Sequence, residues 1–139
     1  MISSTALILL FAIALIIGGA ILLAIVTRGQ KQLDKQKYRT RWMAIEGSLK
    51  KDNEAACHMA ILNADKLLDA ALKEANYKGQ TMGERLKNAK GSLTNANAVW
   101  ASHKLRNRIA HETNVKVDYT VARRALAGFK QGLKDVGAI

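Results

Sequence analysis

Proline is absent from all 139 residues. No position carries the ring that removes a backbone donor and breaks a helix interior, and this favours an all-α chain. There is one cysteine, Cys57, so no disulfide can form within the chain. Its neighbours Ala55, Ala56, Met59 and Ala60 mark it as a small buried hydrophobe. His58 adjoins it, but adjacent helical residues do not face each other, which argues against a catalytic thiol. Aromatic residues are only 5 % of the chain, and the paired aromatics of sheet-type RNA modules are missing. His58, His103 and His111 fall in no HExxH or cysteine-pair spacing, so neither a metal site nor a cofactor is expected. A phosphate-cradling glycine loop and a nucleophile elbow are also lacking.

Acidic residues are scarce as well: 11 against 22 Lys and Arg, a net charge of +11. None of the charged side chains falls in residues 1–27. Ile2 to Thr27 is rich in Leu, Ile and Ala, and as a helix it would extend about 39 Å, enough to cross a ~30 Å hydrocarbon core with some tilt. A cleaved signal peptide would have a basic start and a shorter apolar stretch, so residues 1–27 read as a retained transmembrane anchor. Ala14/Gly18 and Ala20/Ala24 have the spacing that lets two such spans pack closely.

Residues 28–41 follow as a basic juxtamembrane linker. Arg28, Lys31, Lys35, Lys37, Arg39 and Arg41 against Asp34 give it +5. By the positive-inside rule this cluster places the N-terminus outside the cell membrane and the C-terminal domain in the cytosol. It could also rest on anionic lipid.

Residues 42–139 read as a small four- to five-helix bundle carrying the remaining +6. A short amphipathic stretch, Trp42–Lys50, comes first. Asp52 or Asn53 then caps a longer helix whose Cys57, Ile61, Ala64, Leu68, Ala71 and Ala75 recur at spacings of four and three, a buried stripe. Lys78-Gly79 is expected to end it. Thr81 to about Lys90 forms a short helix through Met82, Leu86 and Ala89, and Gly91-Ser92 breaks the pattern. Asn95 or Thr94 opens the next helix, with Ala98, Ser102, Leu105 and Ile109 as its core face. Asp118 caps the last, with Val121, Ala125, Leu126, Phe129 and Leu133 inward.

The helix from Asn95 carries LRNRIAHE at Leu105–Glu112. Arg106 keeps its charge and binds phosphate as a planar fork. His111 can exchange a proton near neutral pH. Together they suit phosphodiester chemistry without a metal. At ~100° per residue, Trp100, His103, Asn107 and His111 share one face, nearly opposite the core face, so His103 reads as a surface histidine. Arg106 lies roughly 140° from His111, so the two are not stacked neighbours.

An arginine, a polar residue, a short spacer and a histidine resemble the signature of the HEPN superfamily, all-α domains of many prokaryotic ribonucleases and toxins. Arg106, Asn107 and His111 fit it, with four residues between Arg and His. The resemblance runs from about Trp42 to the C-terminus. It implies a metal-independent endoribonuclease in which a base takes the ribose 2′-OH proton and an acid protonates the leaving oxygen. His111 and Arg106 would be catalytic and Asn107 would position the substrate, with Lys104, Arg108 and Trp100 as candidate RNA contacts. It further implies a homodimer whose two dyads meet across the interface. Some domains of this family are instead non-catalytic modules that bind nucleotides or protein partners, an inhibitor or regulator among them. Arg106 and His111 would then brace a helix end, beside Glu112 or Glu46.

A reporter fused after Ile139 should behave as cytosolic. Protease access to the domain from outside intact cells would overturn this topology, and release by carbonate washing would remove the anchor itself.

Overall fold

The computed structural model describes residues 2–27 and 31–139, and every regular element in them is helical. They form two compact units, one ending at Lys31 and the other running from Gln32 to Ile139.

The first unit is α1, Ser4–Thr27. Ser3 caps it, its hydroxyl accepting from Ala6 N–H at 3.3 Å. The helix is apolar on all sides, and Ser4–Val26 is long and apolar enough to cross a membrane.

The second unit is a bundle of five helices: α2 (Lys35–Ser48), α3 (Glu54–Glu74), α4 (Met82–Ala89), α5 (Ala96–His111) and α6 (Tyr119–Asp135). A single 3-10 turn, Lys90–Ser92, follows α4. Each helix begins at a side-chain cap that satisfies one of the first turn's free N–H groups. Asp34, Asn53, Thr81, Asn95 and Asp118 accept from Lys37, Ala56, Glu84, Ala98 and Val121. The expected caps of α3 and α6 are therefore present, Asn95 rather than Thr94 opens α5, and Thr81, read as the first residue of α4, is its cap.

Two boundaries differ from the sequence reading. Residues 28–30 of the expected linker lie outside the described residues, but Leu33 and Tyr38 from the same stretch belong to the core. Tyr38 and Trp42 lie four apart on one face of α2 and both bury there, so the basic segment enters the bundle instead of tethering it. The Tyr38 hydroxyl donates to Glu74 Oε2 at 2.7 Å, tying α2 to the end of α3. Likewise α3 stops before Lys78-Gly79. Asn76 takes a left-handed conformation at φ 66°, and Tyr77 N–H reaches back to Leu72 O while Asn76 N–H reaches Lys73 O. Asparagine tolerates that conformation, and the paired bonds close the helix as a glycine would.

The central helix is α3, packed against α2, α4, α5 and α6. Its expected stripe from Cys57 to Ala75 is buried throughout. Burial and the nearby Asp118 and Glu54 charges push the Cys57 thiol up, which suits a packing residue. α5 crosses α6 closely at Gly128. A Cβ on Gly128 would lie 2.6 Å from Ser102 Oγ and 2.9 Å from Ala98 O. The Ser102 hydroxyl is 2.9 Å from Ala98 O and 3.0 Å from Ala125 O, so its one proton is shared between them.

The arm from α3 to α4 is ionic. Arg85 donates to Asp69 Oδ1 at 2.7 Å and to Gly79 O at 2.6 Å, and Lys73 lies 3.2 Å from Asp69 Oδ2. Burial alone would raise the Asp69 carboxyl, but the Arg85 and Lys73 bonds and charges outweigh it and hold the group below its ordinary value. A carboxyl depressed in the folded state adds stability above its unfolded pKa of about 3.9 and loses that contribution as pH falls through the folded value.

Asp69→Asn should therefore cost about 3 kcal/mol near neutral pH, because Arg85 is left buried without its charge partner. It should also flatten the acid limb of the stability curve. Equal losses at pH 7 and below pH 3 in urea melts would contradict this account. Gly128→Ala should cost about 1–3 kcal/mol by forcing α5 away from α6. An unchanged melt would show that the crossing has slack.

Candidate functional site

The site begins with an acid on the flank of a buried stripe. Asp65 lies one residue beyond Ala64 on α3, and its side chain is only 5 % exposed. A carboxylate so placed needs donors, and α5 supplies them. His103 Nδ1 is 2.6 Å from Asp65 Oδ1. Arg106 Nε is 3.4 Å from Asp65 Oδ2, too poorly aligned for a hydrogen bond, so that contact is ionic. Arg106 Nη1 donates to Asn107 Oδ1 at 3.0 Å, and Asn107 Nδ2 lies 3.3 Å from His103 Nε2. Four side chains thus close a ring: Asp65, His103, Asn107, Arg106 and back to Asp65.

The ring forms part of the wall of a cleft of about 940 Å³ between α3, α5 and the start of α4. That is room for a nucleotide-sized ligand. Lys66, Lys104 and Arg106 bring positive charge to it, against Asp65 and Asp69. Trp100 also lines it, half-buried, and stands edge-on to His103 with ring centroids 5.9 Å apart.

Of the residues singled out from sequence, Arg106, Asn107, Lys104 and Trp100 therefore meet at one cleft. His111 and Arg108 do not line it. His111 is exposed in the last turn of α5. Arg108 pairs with Glu112 at 3.3 Å on the surface. The expectation of a surface His103 is corrected: it is 7 % exposed and faces α3. The buried face of α5 is also turned from the expected one: of Ala98, Ser102, Leu105 and Ile109 only Ser102 is buried, and the other three are half-buried. Val99, Ser102 and His103 are its buried residues, because the helix packs on both α3 and α6.

Asp65 was not anticipated. Its signal was an aspartate pair, Asp65 and Asp69, four apart beside the apolar stripe. Such a pair usually reads as a solvated face. Here one member receives α5 and the other α4.

A second concavity, about 570 Å³, lies between the starts of α3 and α6 near Lys51, Lys116 and Tyr119. Glu54 accepts there from Val117 N–H in the loop before α6, and Asn53 and Asp118 each take one donor of their own helices. His58 braces the loop before α6, with Nε2 3.0 Å from Val115 O. Among the described residues, no three His, Cys, Asp or Glu side chains are grouped to hold a metal ion.

Compared with known proteins, the chain matches no family model, no curated protein and no solved structure.

Proposed function

We propose that the chain is a membrane-anchored, metal-independent endoribonuclease of HEPN type, acting as a homodimer with its domain in the cytosol. The observation that carries this reading is the placement of the Arg106–Asn107 pair on the wall of a nucleotide-sized cleft. With Nε turned to Asp65 and one Nη1 hydrogen given to Asn107, the second Nη1 hydrogen and the Nη2 group remain to grip a phosphate. Asn107 sits beside them to orient the sugar or phosphate.

The reaction has a simple balance. A base takes the 2′-OH proton, O2′ bonds to phosphorus, the P–O5′ bond breaks, and an acid returns a proton to O5′. Arg106 offsets the charge that builds on the phosphoryl oxygens. His111 is the proton carrier. Because it stands outside its own cleft, the working pair is Arg106 of one copy and His111 of a second copy. Lys66 and Lys104 draw in the RNA backbone, and Trp100 offers a ring edge to an unstacked base. α1 holds the domain at the membrane, and the basic residues after it set the orientation.

A second reading is a non-catalytic module that binds a nucleotide or a protein partner. The Asp65–Arg106 contact favours it, since a guanidinium already facing a carboxylate can serve as a brace.

Full-length protein in detergent should cleave single-stranded RNA with EDTA present, leave 2′,3′-cyclic or 3′-phosphate ends and spare DNA. Arg106→Ala and His111→Ala should each lose activity on the order of 10²-fold or more while keeping their helical content. Coexpressed, the two variants should regain about a quarter of wild-type activity, since half of the dimers are mixed and each mixed dimer holds one intact composite site. Activity that persists in His111→Ala would reject His111 as the proton carrier, and no cleavage of any RNA by the folded wild type would reject the enzyme reading. Absence of any recovery in the mixed dimer would reject the shared site.

A further inference from the structure

The ring, three hydrogen bonds closed by one ion pair, has only one consistent polarity. Arg106 can only donate, so the amide oxygen of Asn107 faces Arg106 and its NH2 faces His103. His103 Nε2 must then accept, which puts the ring hydrogen on Nδ1, where it donates to Asp65 Oδ1. The remaining oxygen of Asp65 is left for Arg106 Nε. Each member therefore fixes the orientation of the next, and the only full negative charge in the circuit is Asp65.

From this the geometry points to Asp65 and His103 as positioning residues for Arg106: a buried carboxylate–imidazole pair that sets the angle of the phosphate-binding guanidinium from two sides, through Asp65 directly and through Asn107 indirectly. It rests on the reading of Arg106 as the phosphate clamp. Asp65 and His103 also line the cleft, but their polar atoms are engaged within the ring: His103 Nδ1 with Asp65, His103 Nε2 with Asn107, and Asp65 Oδ2 with Arg106. The burial is part of the device. Asp65 and His103 are 5 % and 9 % exposed at the side chain, and the Arg106 side chain they hold is 35 % exposed, so the anchor is far less open to solvent than the residue it holds.

An asparagine at position 65 would keep the shape but not the polarity. Both neighbours of Asp65 present N–H groups, and an amide would have to turn its own NH2 toward one of them. Asp65→Asn thus releases Arg106 while leaving every apolar contact of α3 in place. If Asp65→Asn does not fold, Asn107→Ala opens the same ring from the cleft side, at a half-buried residue.

The test uses the full chain in detergent as wild type, Asp65→Asn, Arg106→Ala and the double variant, with arginine and histidine side chains labelled with nitrogen-15. In wild type, Arg106 Nε–H should give a distinct, slowly exchanging resonance, and His103 should show a protonated Nδ1 and a bare Nε2. In Asp65→Asn the Arg106 signal should join the averaged surface arginines, with the backbone amide spectrum otherwise retained. Single-turnover RNA cleavage should fall on the order of 10²-fold, the usual cost of a misplaced catalytic group. In the Arg106→Ala background, Asp65→Asn should cost nothing further, because its effect passes through Arg106. The inference is overturned if the Arg106 resonance survives Asp65→Asn, or if that substitution costs the same factor with and without Arg106. A wild-type protein that neither binds nor cleaves RNA would remove the functional reading, and the Arg106 resonance alone would then decide the positioning role.

Discussion

A carboxylate with only 5 % of its side chain exposed must be answered by its neighbours, and Asp65 is answered entirely from one helix. His103 takes one oxygen at 2.6 Å and Arg106 faces the other at 3.4 Å. Removing the acid would leave the nearly buried His103 with an unmatched imidazole donor and Arg106 without its charge partner. The contact therefore does two things at once. It fixes the rotation of α5 on α3, and it determines which side chains of α5 line the cleft. Gly128 and Ser102 hold the other side of α5 against α6, so the helix has no free direction in which to turn.

Much of this architecture was legible in the sequence because it is governed by local rules. The all-α class followed from the absence of proline and from 3.6-residue periodicity. The caps at Asn53, Asn95 and Asp118 and the stripe from Cys57 to Ala75 are consequences of short-range hydrogen bonding and burial. The apolar N-terminal helix was read from length and charge alone. Boundaries were less legible where tertiary packing overrode composition. The basic run ending at Arg41 looked like a tether, yet Tyr38 and Leu33 made its second half part of the core.

The site was legible only in part. Arg106, Asn107, Lys104 and Trp100 were marked by residue chemistry, and they do gather at one cleft. His103 was misplaced because a helical wheel shows a face without showing how many neighbours that face meets. α5 meets two, and the second, α3, carries the aspartate. A buried acid cannot be told from a solvated one by spacing, so Asp65 needed the fold to be seen. His111 was marked with Arg106, yet it stands outside the cleft that Arg106 lines. That separation is what makes a second copy part of the proposed chemistry.

The central claim is that RNA meets this chain at the α3–α5 cleft and not merely on its many surface cations. Photo-crosslinking of full-length protein in detergent to a single-stranded RNA carrying 4-thiouridine, followed by peptide mapping, tests it most directly. The account predicts label on peptides of α5 that include Trp100 or Lys104, lost in Arg106→Ala. Label confined to the basic segment before Trp42, or to the Lys51 and Arg123 surface around Tyr119, and unchanged by Arg106→Ala, would contradict it.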